Sequence, residues 1–264
     1  MKPTIGLIGA GNMGSAILKG INRKFKALVC EKGELRQIFL KEKFKITAQD
    51  LKTVVKKSQI VILAVKPQDF DRILEAVGRH ITQKHLVISI AAGITTSCIE
   101  KKIGQSIRVV RAMPNLPAQV KEAMTALCKG RWAKDMDLTR AQEIFDCIGK
   151  TVLVEEHWMD AVTAVSGSGP AYVFLFVECL KKAAVSLGFE DRLSQELVLQ
   201  TLRGSLKLLE ESKEDPAVLR SNVTSKGGTT QAAMDVFEKN NLVKVFEDAL
   251  KAAAKRAKEL AVSE

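Results

Sequence analysis

Short apolar, often β-branched runs alternate with stretches of helical periodicity through residues 1–156. Thr4 to Ile8 reads as a strand and Asn12 to Ile21 as a helix. Ala27 to Glu31 reads as a second strand, followed by helical stretches over 34–44 and 49–57. Gln59 to Val65 is a continuous apolar run with a helix over 68–77 behind it. Leu86 to Ile90 and Ile107 to Val110 repeat the strand pattern, and 120–128 and 151–155 are candidates to extend it. Runs apolar at nearly every position fit strands covered on both faces, as in a parallel sheet between helical layers. The alternation predicts an α/β fold with a doubly wound sheet.

From residue 157 onward the strand-like runs stop. Pro170 to Leu187, Leu193 to Leu209, Thr230 to Glu238 and Leu242 to Leu260 carry helical periodicity. Gly188, the run Lys213 to Pro216, and Lys226-Gly227-Gly228 punctuate them. The expected organisation is a nucleotide-binding-like domain over 1–156 and an all-helical domain over 157–264.

Composition narrows the function classes. The 264 residues are 46% hydrophobic and 27% charged, which supports a packed core and excludes a disordered chain. The formal net charge is +11, but the cations are scattered and aromatics make up only 5%. A single-stranded nucleic-acid groove interleaves rings with its cations, so no nucleic-acid partner is expected. Val87 to Ile94 is broken by Ser89 and Gly93, and Pro170 to Val177 ends at Glu178. Such runs fall short of the ~18 apolar residues a spanning helix needs, so no membrane partner is expected. The start runs straight into a Gly-rich strand pattern without a signal peptide's apolar stretch, giving a cytoplasmic expectation. Five well-separated cysteines without a CxxC pair, and His80, His85 and His157 outside any ligand spacing, predict no metal site.

The sharpest chemistry is at the first turn. Gly9-Ala10-Gly11-Asn12-Met13-Gly14 is GxGxxG between an apolar strand and a helix, the Rossmann-type dinucleotide fingerprint. Gly9 permits the turn, Gly11 admits a pyrophosphate against the backbone, and Gly14 lets the helix pack on the strand. The phosphates then meet free N–H groups and the helix dipole. At the end of the second strand, Glu31 suits the ribose hydroxyls of NAD while Lys32 suits a 2′-phosphate, so the residues leave the choice open. Ala64-Val65-Lys66-Pro67 and Ala91-Ala92-Gly93 each follow an apolar run, at the carboxyl edge where such sheets bind ligands. Another reductase on this fold and a non-enzymatic nucleotide sensor are the competing readings.

These residues resemble the pyrroline-5-carboxylate reductase family over nearly the whole chain. The resemblance rests on IGLIGAGNMG at 5–14, AVKP at 64–67, SIAAGIT at 89–95, RAMPNLP at 111–117, SGSGPAYVF at 166–174 and NVTSKGGTTQAAM at 222–234. It implies reduction of 1-pyrroline-5-carboxylate to proline, the last step of proline biosynthesis, with NADPH as cofactor and NADH as an alternative. It also implies that the helical domain dimerises, giving a homodimer or a larger assembly such as a decamer of dimers, with the active site at or near the dimer interface. Met113, Asn115 and Asn222 match cofactor contacts. Lys226 stands where the family commonly has proline, Leu116 where it commonly has threonine, and the asparagine contacting the adenosine half is replaced near Thr47.

The substrate is a small ring bearing a carboxylate and a C=N nitrogen. Ser225, Gly227, Gly228, Thr229 and Thr230 suit it: glycines leave backbone N–H groups for an anion, and the hydroxyls serve the ring. Thr230 is expected to hydrogen-bond the imine nitrogen, by its match to the family position, and is the catalytic candidate. Helix capping is the ordinary alternative for a single threonine there. Glu156 falls by resemblance at a substrate-contacting carboxylate, with a plain solvated acid as its other reading. Ser166-Gly167-Ser168-Gly169-Pro170 reads as a closely packed helix start rather than a nucleophile.

Overall fold

A computed structural model describes residues 2–262 apart from 23 and 105. The chain runs β1 (Thr4–Ile8), α1 (Asn12–Ile21), β2 (Lys26–Cys30), α2 (Glu34–Phe44), α3 (Leu51–Lys56), β3 (Ile60–Leu63), α4 (Pro67–Gly78) and β4 (Leu86–Ser89). It continues through α5 (Thr96–Ile103), β5 (Arg108–Met113), a 3-10 turn (Leu116–Val120), β6 (Ala123–Lys129), α6 (Asp135–Phe145) and β7 (Gly149–Leu153). A 3-10 turn (Glu156–Trp158), α7 (Met159–Val162) and a π-helical turn (Thr163–Gly167) follow. The rest is helical: α8 (Gly169–Ser186), α9 (Asp191–Ser212), α10 (Pro216–Asn222), α11 (Thr229–Lys239) and α12 (Leu242–Val262).

Among the described residues, seven strands form one sheet in the order β2-β1-β3-β4-β5-β6-β7. All pairs are parallel except β5 with β6. The strand period of two divides the core between the two faces. Ile5, Leu7, Ile60 and Ile62 pack with Ile17 and Ile21 of α1 and Phe145 of α6. Ile8, Val61, Leu63 and Val87 pack with Phe70 and Leu74 of α4 and Ile99 of α5. This is why the strands read as continuous apolar runs: both faces are covered. Chain order reverses around β1, which pairs with β2 on one side and β3 on the other, so a switch point opens at their carboxyl ends.

Several elements differ from the sequence expectation. β3 ends at Leu63, because Ala64 to Lys66 leave the sheet before Pro67 opens α4. The predicted elements leave out α5, although Thr95 caps it by accepting the Cys98 N–H at 3.1 Å and Gly104 ends it at φ +71°. They also leave out α6, and α10, where Asp215 accepts the Ala217 N–H at 2.8 Å ahead of Pro216.

The chain divides into two compact units, Met1–Pro170 with Ala252–Glu264, and Ala171–Lys251. The first holds the sheet. In the second, α10 and α11 carry no buried residue and α9 carries only Ser194 and Val198. Phe174, Leu175, Phe176, Leu197, Phe237 and Phe246 are exposed there. The helical stretch Glu156–Ser186 is, by length and composition alone, apolar enough to cross a membrane. This differs from the expectation drawn from unbroken apolar runs, because isolated polar residues interrupt a helix whose average stays apolar.

Candidate active site

A pocket of about 790 Å³ opens at the switch point, in the size range of ligand sites. Gly9, Gly11, Asn12 and Met13 line one side, Ala64, Val65 and Lys66 another, and Ala91 and Ala92 a third. The glycines act as the fingerprint requires. Gly9 has φ +94°, and a Cβ there would lie 2.6 Å from the Ala64 carbonyl oxygen. A Cβ on Gly14 would lie 2.3 Å from the Gly9 carbonyl oxygen, so this glycine seats α1 against the turn. Gly11 has nothing within 4 Å of where a Cβ would stand, and no side chain caps α1. The open space and the unpaired first-turn N–H groups fit a pyrophosphate.

Ala10 and Glu31 are joined. The Ala10 N–H donates to Glu31 Oε2 at 2.7 Å, and the Gly33 N–H donates to Oε1 at 2.8 Å. Lys32 pairs with Asp69 at 3.0 Å, and this hydrogen bond lowers the Asp69 carboxyl below its ordinary range. Arg36, Gln68, Asp69 and Pro114 also line the pocket, and sequence reasoning passed over them. Arg36 had a weak signal: it follows Glu31 by five residues near the start of α2, and it donates to Asn12 Oδ1 at 2.8 Å. Gly93, with φ +79°, follows the lining residue Ala92 in the chain.

Met113 and Asn115, expected at the cofactor, flank the lining residue Pro114 and make other contacts. Met113 packs with Ala126, Cys128 and Met159. A Cβ on Gly167 would stand 2.6 Å from Met113 Cε, which accounts for a glycine in the Ser166-Gly167-Ser168 run. Asn115 Nδ2 donates to the Ser166 carbonyl at 3.2 Å, and Asn115 Oδ1 accepts the Met124 N–H at 3.0 Å. Both residues brace the start of the helical region.

Glu156 was expected at the substrate. Its two carboxylate oxygens accept the Thr96 N–H and the Thr96 hydroxyl, each at 2.7 Å. Arg111, 3% exposed, lies 3.7 Å from Glu156 and 3.5 Å from Asp160.

In the helical unit, Ser225 to Gly228 form a tight turn in which the Gly228 N–H donates to the Ser225 carbonyl at 3.0 Å. Gly227 supplies φ +71° at its third position. The helix after it begins one residue earlier than expected, with Gly228 as N-cap and no side-chain cap. Neither Thr229 nor Thr230 is therefore a capping residue, which removes the ordinary explanation for a threonine at this place. Thr230 is half-buried, and Thr229 and Lys226 are exposed. Asn222 ends α10 in this same unit.

A glycine-lined pocket at the switch point of a doubly wound sheet, followed by a helical region, defines a dinucleotide-binding protein of the Rossmann class. Residues 156–260 match the family described as pyrroline-5-carboxylate reductase dimerisation, and residues 4–93 match NADP oxidoreductase coenzyme F420-dependent. The pyrroline-5-carboxylate reductase of Synechocystis sp. is 38% identical over 98% of this chain and 99% of its own. That of Methanosarcina acetivorans is 39% identical over 97% of each. The solved structure of the Coxiella burnetii enzyme covers 99% of both chains at 36% identity and a TM-score of 0.90. The Plasmodium falciparum enzyme, solved with NADP bound, covers 98% of both chains at 29% identity and a TM-score of 0.88. The chain belongs to the pyrroline-5-carboxylate reductase family.

Proposed function

We propose that this protein reduces 1-pyrroline-5-carboxylate to L-proline with NADPH, NADH also serving, as the last step of proline biosynthesis in the cytoplasm. Residues 1–156 hold the cofactor and 157–264 hold the substrate and the partner subunit. The assembly is a homodimer, with a decamer of dimers as its larger form, and it takes neither nucleic acid nor a membrane as partner. The observation that carries the reading is the uncapped turn before α11, with two threonines whose hydroxyls do not serve as caps, in a chain related to these reductases over its full length.

Gly11 and the uncapped N-terminus of α1 would hold the pyrophosphate, together with Gly9, Asn12 and Met13. Glu31, Lys32 and Arg36 take the adenosine ribose. Ala64, Val65, Lys66 and Pro67, with Ala91, Ala92 and Gly93, flank the rest, and Asn222 adds a contact. Met113 and Asn115 add cofactor contacts on either side of Pro114, which lines the pocket. When bound, the reduced nicotinamide supplies a hydride for the ring's C5.

The protein's own task is to hold a protonated imine and fix its carboxylate. The backbone N–H of Gly227, the Ser225 hydroxyl and the N-terminal dipole of α11 hold the carboxylate, and Gly228, whose own N–H closes the turn on the Ser225 carbonyl, lines the site. Thr229 lines the pocket. The Thr230 hydroxyl accepts the N–H of the iminium, keeps the proton on nitrogen and so keeps C5 electrophilic. No residue need change its own charge, since the proton ends on the product amine.

The apolar faces of α8, α9 and α11 are the surface a second copy covers, and this is also the reason Glu156–Ser186 is so apolar. Initial rates with NADPH and NADH on pyrroline-5-carboxylate, taken with the native mass, test the reading. Proline formed in step with cofactor oxidation, by a particle of two or more chains, is the expected result. Cofactor binding without turnover would assign the protein to the nucleotide sensors instead.

A further inference from the structure

We infer that Glu156 is a positioning residue for hydride transfer, acting through Thr96 on the loop that walls the dinucleotide pocket. Thr96 is the first residue of α5, directly after the β4–α5 loop. Ile90, Ala91 and Ala92 of that loop line the pocket. Glu156 lies 60 residues away in sequence and grips Thr96 by both its N–H and its hydroxyl. Thr96 is itself 3% exposed, so the grip is on a buried anchor.

The second half of the brace is Arg111. Its guanidinium is buried between Glu156 and Asp160. Pro114, three residues further on, lines the same pocket. A buried guanidinium needs carboxylates around it, because an unpaired charge there is strongly destabilising. The Cys128 thiol also faces this cluster and stays neutral, since burial and the Glu156 charge push its pKa up to about 12. One ion-paired carboxylate thus holds two walls of the pocket, the β4–α5 loop and the exit of β5, against the segment that begins the helical region.

Hydride transfer is sensitive to such a brace. A displacement of the reacting groups by about 1 Å costs on the order of a hundredfold in rate. The loop backbone also contributes to binding the dinucleotide, but the pyrophosphate end, held by the glycine turn, does not depend on Glu156. Loss of the brace therefore lowers turnover and leaves cofactor affinity nearly intact. The inference rests on the proposed reductase reading, and the test separates the two.

The test compares wild type with Glu156→Ala, Glu156→Gln and Thr96→Val in the full-length protein. Amide hydrogen exchange without ligand should quicken in peptides covering 90–98 and stay unchanged in β1. The dissociation constant for NADPH, read by fluorescence quenching, should remain within about twofold. Turnover of pyrroline-5-carboxylate should fall about ten- to a hundredfold in Glu156→Ala at nearly constant KM, with a larger primary isotope effect from 4-deuterated NADPH. Glu156→Gln keeps one acceptor and should fall less, so it carries the test if the alanine variant does not fold. A raised KM with unchanged kcat would overturn the inference in favour of direct substrate contact. Unchanged exchange at 90–98 would overturn it as well. If wild type itself does not turn over the imine, the reductase reading fails, while the exchange result still decides whether the brace exists.

Discussion

Glu31 reaches from the end of β2 to the glycine loop, where its carboxylate accepts the Ala10 N–H at 2.7 Å. With Gly33 on its other oxygen, the carboxylate is fixed at the pocket wall beside Arg36 and Lys32. A 2′-phosphate here meets one fixed negative charge and two cations. Each cation already has a partner, Arg36 with Asn12 and Lys32 with Asp69.

Cofactor preference should therefore turn on Glu31. Glu31→Ser is expected to raise the ratio of kcat/KM for NADPH over NADH about tenfold, or about 1.4 kcal/mol. Arg36→Ala should shift the same ratio the other way. Paired initial rates with the two cofactors measure both, and an unmoved ratio would remove Glu31 from cofactor selection.

The three loop glycines should separate into two behaviours. Gly14→Ala and Gly9→Ala push a Cβ to 2.3 Å and 2.6 Å from backbone oxygens, and should cost stability by several kcal/mol. Gly11→Ala meets nothing within 4 Å, so it should keep the wild-type Tm while weakening dinucleotide binding at least tenfold. Thermal melts beside cofactor titrations read the difference.

Thr230→Ala should leave the fold and cofactor affinity intact and lower kcat about a hundredfold, a typical share for a group that manages a proton on the reacting atom. Thr229→Ala should act mainly on KM. Single-turnover kinetics distinguish the two, and equal kcat in wild type and Thr230→Ala would remove the assigned role.

The exposed Phe174, at 58%, lies on α8 in the region matching the dimerisation family. Phe174→Asp should place a charge in the contact between copies and shift the native mass toward monomer, at a cost of several kcal/mol of association energy. Sedimentation of both proteins at equal concentration decides it.

Cys128 gives a pH signature. Burial, and then the Glu156 charge, raise its pKa from 9.0 to about 12, against a smaller lowering by Arg111. Below pH 9 the thiol is neutral whether the chain is folded or not. Between 9 and 12 only the unfolded chain loses the proton, so this contribution to stability is lost as pH rises through that window. Urea melts from pH 8 to 10 should show the decline, and Cys128→Ala should lessen it. Cys128 should also resist alkylation at pH 8 until the protein is unfolded.

The sequence by itself determined the two-part plan and the dinucleotide turn. Both have a local signature: an apolar run covered on two faces announces a buried strand, and the Gly14 approach to the Gly9 carbonyl is set inside the turn itself, although the Ala64 carbonyl that crowds Gly9 comes from 55 residues away. The turn from Ser225 to Thr230 was legible for the same reason, although the true N-cap, Gly228, was not, since a cap depends on backbone angles the pattern does not contain. Which polar side chains meet is set by the fold. Glu156 and Thr96 are 60 residues apart, and Asn115 and Ser166 are 51 apart. Such pairs are set by sheet order and by how helices seat on the sheet. Hydrophobic periodicity records which residues leave water, and carries no information on which hydrogen-bonding partners they find once inside.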